Sequence, residues 1–447
     1  MPPALLCLLL PLSAWASTEG VVGENLLWLA IMLMAARLFS PLAERAGFPA
    51  VLGELLLGIV FGNLALVGVD YFVPVARDPI IAFIAELGVV ILLLQIGLET
   101  RLQDLLTVGL RASLVGAVGI VLPFIFGAFL VGPLLLPGKA DSAYLFLGAT
   151  LAATSVGITG RVFRDLGRLQ MPEARIVLGA AVIDDVLGLV MLAVVSSLVT
   201  SGGVSLIGAA TIIARAVAFL AGALLLGRWL APHSSAWLAR LDRGAGMLFA
   251  QIVATALFLA WLAHAIGLAP LIGAFAAGLL FEPVFLRTFG PPGIVTEIEA
   301  LLPADSKSTP ATLRTVLDRH TDHQHEHLLE PLGYFFVPVF FVFTGMQVDL
   351  RTLADPATVA IALGVTAAAI AGKLLAGLAA GRGVNAWIVG WGMVPRGEVG
   401  LIFAMAGKGL GVMSETLFSV IVIMVILTTM ITPPVLTRLL RRHPSGG

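Results

Sequence analysis

Asp184 and Asp185 are adjacent acids inside Ala174 to Thr200, an apolar stretch long enough to cross a bilayer. An ionised side chain at the centre of such a helix costs roughly 2.5 to 3.5 kcal/mol, so two in succession imply a compensating role. Lys373 interrupts a second apolar run, Ala369-Ile370-Ala371-Gly372-Lys373-Leu374-Leu375-Ala376-Gly377, and a lone ammonium there calls for a carboxylate. Consecutive residues on a helix point about 100 degrees apart. One aspartate can therefore pair with Lys373 while the other faces a cavity. Carboxylate, hydroxyl and carbonyl oxygens suit a hard alkali cation, and removal from water favours the protonated form of an acid. Protons then compete with the cation, and one site serves both in turn. A buried salt bridge that only holds helices together is the plainer alternative.

Two other segments are expected to break within the membrane. One is Ala153-Thr154-Ser155-Val156-Gly157-Ile158-Thr159-Gly160, the other Val394-Pro395-Arg396-Gly397-Glu398-Val399-Gly400. Proline removes a backbone donor and glycine tolerates open backbone. Carbonyls and amides freed at mid-membrane need a cavity or an ion beside them, and Thr154, Ser155 and Thr159 add hydroxyl oxygens. Ordinary small-residue helix packing is the alternative for the first segment. It accounts less well for Pro395, Arg396 and Glu398 together.

The elements that would position these groups follow from composition. The 447 residues are 59% hydrophobic and 12% charged, with a net charge of −1, against about 25% charged in ordinary soluble proteins. This is a polytopic, all-α membrane protein, and nothing in its charge points to nucleic acid. Apolar windows of about 18 to 25 residues give about 13 spans. They begin near Val22, Pro49, Pro79, Val108, Ser142, Ala174, Val204, Gly244, Ala269, Pro331, Pro356, Asn385 and Val412. Residues 1–16 read as a signal peptide ending in Ala14-Trp15-Ala16, with an uncleaved extra segment as the alternative. They hold the one cysteine, Cys7, so its removal would leave no thiol for disulfides or metal. An N-terminus outside and a C-terminus in the cytoplasm put most of the 26 Lys and Arg on the cytoplasmic side, Arg161, Arg164, Arg168, Arg175, Arg438, Arg441 and Arg442 among them.

The chain also repeats itself. Gly47-Phe48-Pro49-Ala50-Val51-Leu52-Gly53, with Gly58 and Phe61, matches Gly267-Leu268-Ala269-Pro270-Leu271-Ile272-Gly273, with Gly278 and Phe281, at one constant offset. Gly97-Leu98 with Leu102 and Leu105 matches Gly345-Met346 with Leu350 and Leu353 at a longer one. The matched spans are an odd number of crossings apart, so the halves are inverted, an arrangement typical of transporters. The expected organisation is six helices, a linker helix over 204–230, and six inverted helices. A polar cytoplasmic insert is expected over 286–330. Glu54 and Glu86 are read as buried acids in structural hydrogen bonds, and Arg215 receives no role. The insert carries His320, His323, His325 and His327. A solvated loop is the simpler account of them, metal or proton sensing the alternative.

Ala152 to Thr159, Leu178-Gly-Ala-Ala-Val-Ile-Asp184-Asp185-Val-Leu-Gly-Leu189, Glu86 to Glu99 and Pro395 to Leu401 together resemble the monovalent cation:proton antiporter-2 family, of bacterial Na+/H+ antiporters and Kef-type K+/H+ antiporters. The resemblance implies that Asp185 is the shared ion- and proton-binding carboxylate. It implies that Asp184 is the first aspartate of the electrogenic subgroup, bridged to Lys373 until an ion binds. Arg396 and Glu398 become the charged break of the second discontinuous helix. The resemblance further implies that segments 22–98 and 244–348 form one bundle and that segments 108–200 and 356–440 form the ion-binding core, with two discontinuous helices crossing inside it. A homodimer in a bacterial inner membrane, with the core bundle moving like an elevator against a dimerisation bundle, is also implied, with no cofactor and no enzymatic chemistry. Na+ and H+ are the expected substrates, with Li+ or K+ as further cations. Kef-type members add a C-terminal nucleotide-binding domain, and no such regulation is expected here. They also tend to carry glutamine where Asp184 stands, which favours the sodium type over an electroneutral K+/H+ antiporter.

Two other classes fit less well. An intramembrane aspartyl protease needs two carboxyls converging on one bond, which neighbours on a helix do not do. A channel needs no inverted pair of broken helices around a protonatable site.

Overall fold

The computed structural model describes residues 12–99, 109–200, 206–242, 244–281 and 324–442. Regular structure among them is entirely helical. The helices are α1 (Leu12–Arg45), α2 (Ala50–Asn63), α3 (Pro79–Glu99), α4 (Leu110–Ile125), α5 (Asp141–Ala152), α6 (Val156–Asp165), α7 (Pro172–Thr200) and α8 (Leu206–Leu241). They continue with α9 (Ala245–Ala265), α10 (Pro270–Leu280), α11 (Gln324–Met346), α12 (Pro356–Gly377), α13 (Ala386–Met393), α14 (Glu398–Gly409) and α15 (Glu415–Arg442). Among the described residues, 9 helices are long and apolar enough to cross a membrane, or 10 when the two bent parts of α8 count as one span. The remaining stretches expected to span are not continuous helices of that length. Two are broken, α5–α6 and α13–α14, and α10 ends at Leu280 beside residues that are not described.

Several boundaries differ from the expected ones. Helix α1 is already helical at Leu12, ahead of Val22, and α11 at Gln324, ahead of Pro331, each at the edge of the described residues. Hydropathy windows locate apolar runs, whereas a helix extends into polar sequence until a cap or breaker stops it. Residues 1–11 of the expected signal peptide and most of the polar insert, with His320 and His323, lie outside the described residues. His325 and His327 fall in the first turn of α11, and their side chains are likewise not described.

The chain divides into two compact units. The first holds residues Met1–Gly88 and Phe335–Asp349, the second Val89–Tyr334 and Leu350–Gly447. In the first, Gly47 takes φ 84°, the left-handed region glycine enters without penalty. This closes the α1–α2 turn through Gly47 N–H to Glu44 O and Phe48 N–H to Ala43 O, both 2.9 Å. Gly53 then lies on the Phe39 carbonyl, and Gly58 lies on Gly345, where an added Cβ would meet the Gly345 Cα at 2.9 Å. Glu54 is buried and accepts a hydrogen bond from Ser40 Oγ at 3.0 Å. Glu86 is exposed on α3, so the reading of it as a second buried acid is corrected: the apolar residues around it in sequence do not all face inward.

In the second unit the α9–α10 turn is made like the α1–α2 turn. Gly267 has φ 81°, with Gly267 N–H to His264 O at 3.0 Å and Leu268 N–H to Ala263 O at 2.8 Å. Gly273 lies on the Leu259 carbonyl and Gly278 on Gly97. Helix α8 bends by 48° between Gly227 and Pro232, as the missing proline donor predicts, and Arg215 on it is exposed. Helix α4 contains Pro123 and runs into a wider π-helical turn over Phe126–Val131, which leaves Gly127 against the α5 backbone at Gly148. Helix α12 starts at a cap: Asp355 accepts from the Thr358 hydroxyl at 3.0 Å and from the amides of Ala357 and Thr358, and these bonds hold its carboxyl below the usual carboxylate range.

Candidate ion-binding site

The site lies wholly within the second unit, where α7, α12 and the two broken helices meet. Lys373 Nζ stands 3.2 Å from Asp184 Oδ1 and 3.4 Å from Oδ2, with both side chains fully buried. Asp185, the next residue on α7, is half-buried, and its charge acts on the same ammonium. The adjacent acids thus have distinct environments, one sealed against a cation and one partly open. The Thr154 hydroxyl serves Asp184 and approaches the Met393 carbonyl at 3.5 Å.

Both breaks are short and they cross. Residues 153–155 separate α5 from α6, and 394–397 separate α13 from α14. The Ser155 amide donates to Pro395 O at 2.9 Å, and the Thr159 hydroxyl donates to Gly392 O at 2.7 Å. Two helix C-termini and two N-termini therefore converge beside Asp184, the former carrying partial negative charge and the latter partial positive. Arg396 is fully buried and offsets one of these C-termini. Its guanidinium donates to Met393 O at 3.0 Å, Val394 O at 3.1 Å and Ala369 O at 3.3 Å, while Nε has no partner. Glu398 opens α14, and its side chain is not among those described.

Glycine makes the crossing close enough to work. A Cβ on Gly397 would meet Ser155 Oγ at 2.6 Å and Ser155 Cβ at 2.7 Å, well inside van der Waals contact. Gly397→Ala is expected to push the breaks apart and cut transport at least about ten-fold, because reacting groups displaced by about 1 Å lose most of their advantage. Gly397→Ala with wild-type transport in proteoliposomes would show that the close approach is dispensable.

Several contributors were not singled out from sequence. Gly119 on α4 leaves room for the lysine head, since a Cβ there would sit 3.3 Å from Lys373 Nζ. Thr428 and Thr429 on α15 hold the backbone of the second break: Thr429 Oγ1 donates to Arg396 O at 2.6 Å, and Arg396 N–H to Thr428 Oγ1 at 3.3 Å. Small and hydroxyl residues are common in membrane helices, so neither type stands out in sequence. No group of three or more His, Cys, Asp or Glu among the described residues is placed to hold a metal ion.

A family model described as sodium/hydrogen exchanger, transmembrane, matches residues 30–300 and 311–442. The chain belongs to the sodium/hydrogen exchanger family. This exchanger is 34% identical over 93% of its length to the high-affinity Na+/H+ antiporter NhaS3 of Synechocystis, covering 89% of that protein. It is 33% identical over 91% of its length to the Na+/H+-K+ antiporter GerN of Bacillus cereus, covering 94% of it. Its fold is also that of the sodium proton antiporter MjNhaP1 from Methanocaldococcus jannaschii, with a TM-score of 0.62 at 18% identity, covering 92% of this chain and 96% of that one.

Proposed function

We propose that this exchanger exports Na+ in return for protons, with Asp185 as the carboxylate that either one neutralises. The observation that carries the reading is the division of labour between neighbours: Asp184 is sealed against Lys373 beside two crossed helix breaks, whereas Asp185, the next residue on α7, is only half-buried. Carboxylate and hydroxyl oxygens of Asp185, Asp184, Thr154 and Ser155 make a donor set suited to a hard monovalent cation. A proton on Asp185 removes the charge that attracts the cation, so the two occupants exclude one another. Relatives named as Na+/H+ antiporters support sodium as the cargo. GerN, whose name includes K+, keeps potassium as a second cation, and KhtU of Bacillus subtilis, 27% identical and named as a K+/H+ antiporter subunit, supports potassium as the cation of the alternative, an electroneutral exchanger in our reading. Li+ belongs with Na+ on the same oxygen chemistry.

The repeat supports alternating access. The α1–α2 and α9–α10 turns use the same hydrogen bonds at corresponding residues, and Gly58 on Gly345 corresponds to Gly278 on Gly97. These paired contacts support two inverted halves, each of six spans, joined by α8, in an arrangement of 13 spans in all. In our reading the core, residues 108–200 and 356–440, carries the site across an inner membrane by an elevator motion. Residues 22–98 and 244–348 form the dimerisation bundle of a homodimer, with the N-terminus outside and the C-terminus in the cytoplasm.

Purified protein in liposomes tests the central step. A sodium gradient should drive proton movement, with apparent KM for Na+ rising as pH falls and maximal rate at saturating Na+ little changed. An apparent KM independent of pH would mean that the two ions do not share a site. A potassium gradient under the same conditions separates the second reading.

A further inference from the structure

Glu173 is a buried carboxylate that the exchange chemistry does not use. It is 4% exposed, in the first turn of α7, the helix that carries Asp184 and Asp185 about 16 to 18 Å further on. Its Oε1 accepts the Asn385 amide at 2.9 Å. That amide immediately precedes α13, and the Asn385 side chain in turn accepts from the amides of Trp387 at 3.0 Å and Ile388 at 3.4 Å. An acid on one helix and an asparagine cap on another thus take up donors that a helix N-terminus otherwise leaves unpaired. Negative charge there also opposes the positive end of the helix dipole.

From Glu173, α13 crosses α7, with Gly392 against Val177, and ends at the second break. There its last carbonyls hold Arg396 and receive the Thr159 and Thr154 hydroxyls. Helix α13 is only eight residues, Ala386–Met393, about 12 Å long. A strut that short transmits a shift at its start to its end.

We infer that Glu173 is a positioning residue: by holding the Asn385 amide it pins the start of α13 to the aspartate helix and so sets the depth of the 394–397 break relative to Asp184 and Asp185. The inference rests on the antiport reading for its kinetic consequence and on geometry alone for its structural one. The two can therefore fail separately.

The test uses the full chain with Glu173→Ala and Glu173→Gln. Glutamine keeps a carbonyl oxygen able to accept the Asn385 amide, whereas alanine keeps nothing. Glu173→Ala should raise the apparent KM for Na+ about five-fold, with turnover at saturating Na+ within about two-fold of wild type, because the site is misplaced rather than removed. Glu173→Gln should restore KM to within about two-fold of wild type. Hydrogen exchange of the 385–388 amides should accelerate in Glu173→Ala and stay slow in Glu173→Gln. Equal KM and equal exchange in wild type and Glu173→Ala overturn the inference, as does a Glu173→Gln protein as impaired as Glu173→Ala. If Glu173→Ala does not fold, the wild-type protein decides: an Asn385 amide that exchanges as fast as an open loop overturns the clamp. Wild-type liposomes that show no Na+-dependent proton movement would sink the antiport reading instead, and the amide exchange would still judge Glu173.

Discussion

Asp185→Asn is expected to reduce sodium–proton exchange to the level of protein-free liposomes while leaving the protein folded. Asparagine has almost the same shape as aspartate but carries no charge for a sodium ion and takes up no proton near neutrality. Both half-reactions therefore fail together. The half-buried position of Asp185 makes the replacement mild for packing, so a thermal midpoint in detergent close to wild type should accompany the loss. Transport at wild-type rates by Asp185→Asn would remove this residue from the centre of the mechanism. The neighbouring Asp184 would not be a ready substitute, since it is engaged by Lys373 on both oxygens.

The second large effect is on stability. Lys373→Ala leaves the Asp184 carboxylate fully buried without its cation, and breaking one partner of a buried pair costs about 3 to 5 kcal/mol. Removing both charges costs much less, because no unpaired group remains. The double variant Asp184→Asn with Lys373→Gln is therefore expected to regain most of the thermal midpoint that Lys373→Ala loses. A double variant no more stable than Lys373→Ala would mean that the unpaired Asp184 carboxylate is not what destabilises the single variant. Lys373→Gln alone should also weaken the response of transport to membrane potential. An unchanged response would separate the lysine from the charge-moving step.

Much of this site could be read from the chain because charges in apolar sequence are costly and therefore conspicuous. Asp184, Asp185 and Lys373 stood out for that reason, and Pro395 with its glycines marked a break. The matched turns at Gly47 and Gly267 were legible because only glycine enters their backbone region cheaply. Helix geometry alone says only that both aspartates do not face Lys373; the family resemblance named Asp184, and Lys373 lies against it. The main-chain partners of Arg396 were not legible, since carbonyls carry no sequence signal. Neither Glu173 nor Gly119 carries a signal of its own in the sequence. Their significance depends on Asn385, 212 residues on from Glu173, and on Lys373, far along the chain from Gly119. Glu86 misled because its apolar neighbours suggested burial on every side.

The glycine crossings have a mechanical consequence. At Gly58 on Gly345, and at Gly97 on Gly278, main chain rests on main chain with no side chain between. Rotamer changes cannot loosen such a joint, and a slip of one residue would drive a neighbouring Cβ into the opposite carbonyl, since Val342 O faces Gly58 and Phe275 O faces Gly97. Each crossing therefore acts as a rivet. Helices fastened in this way shift as a single piece, and any sliding surface in the protein must run where branched side chains, free to ratchet past one another, keep the backbones apart.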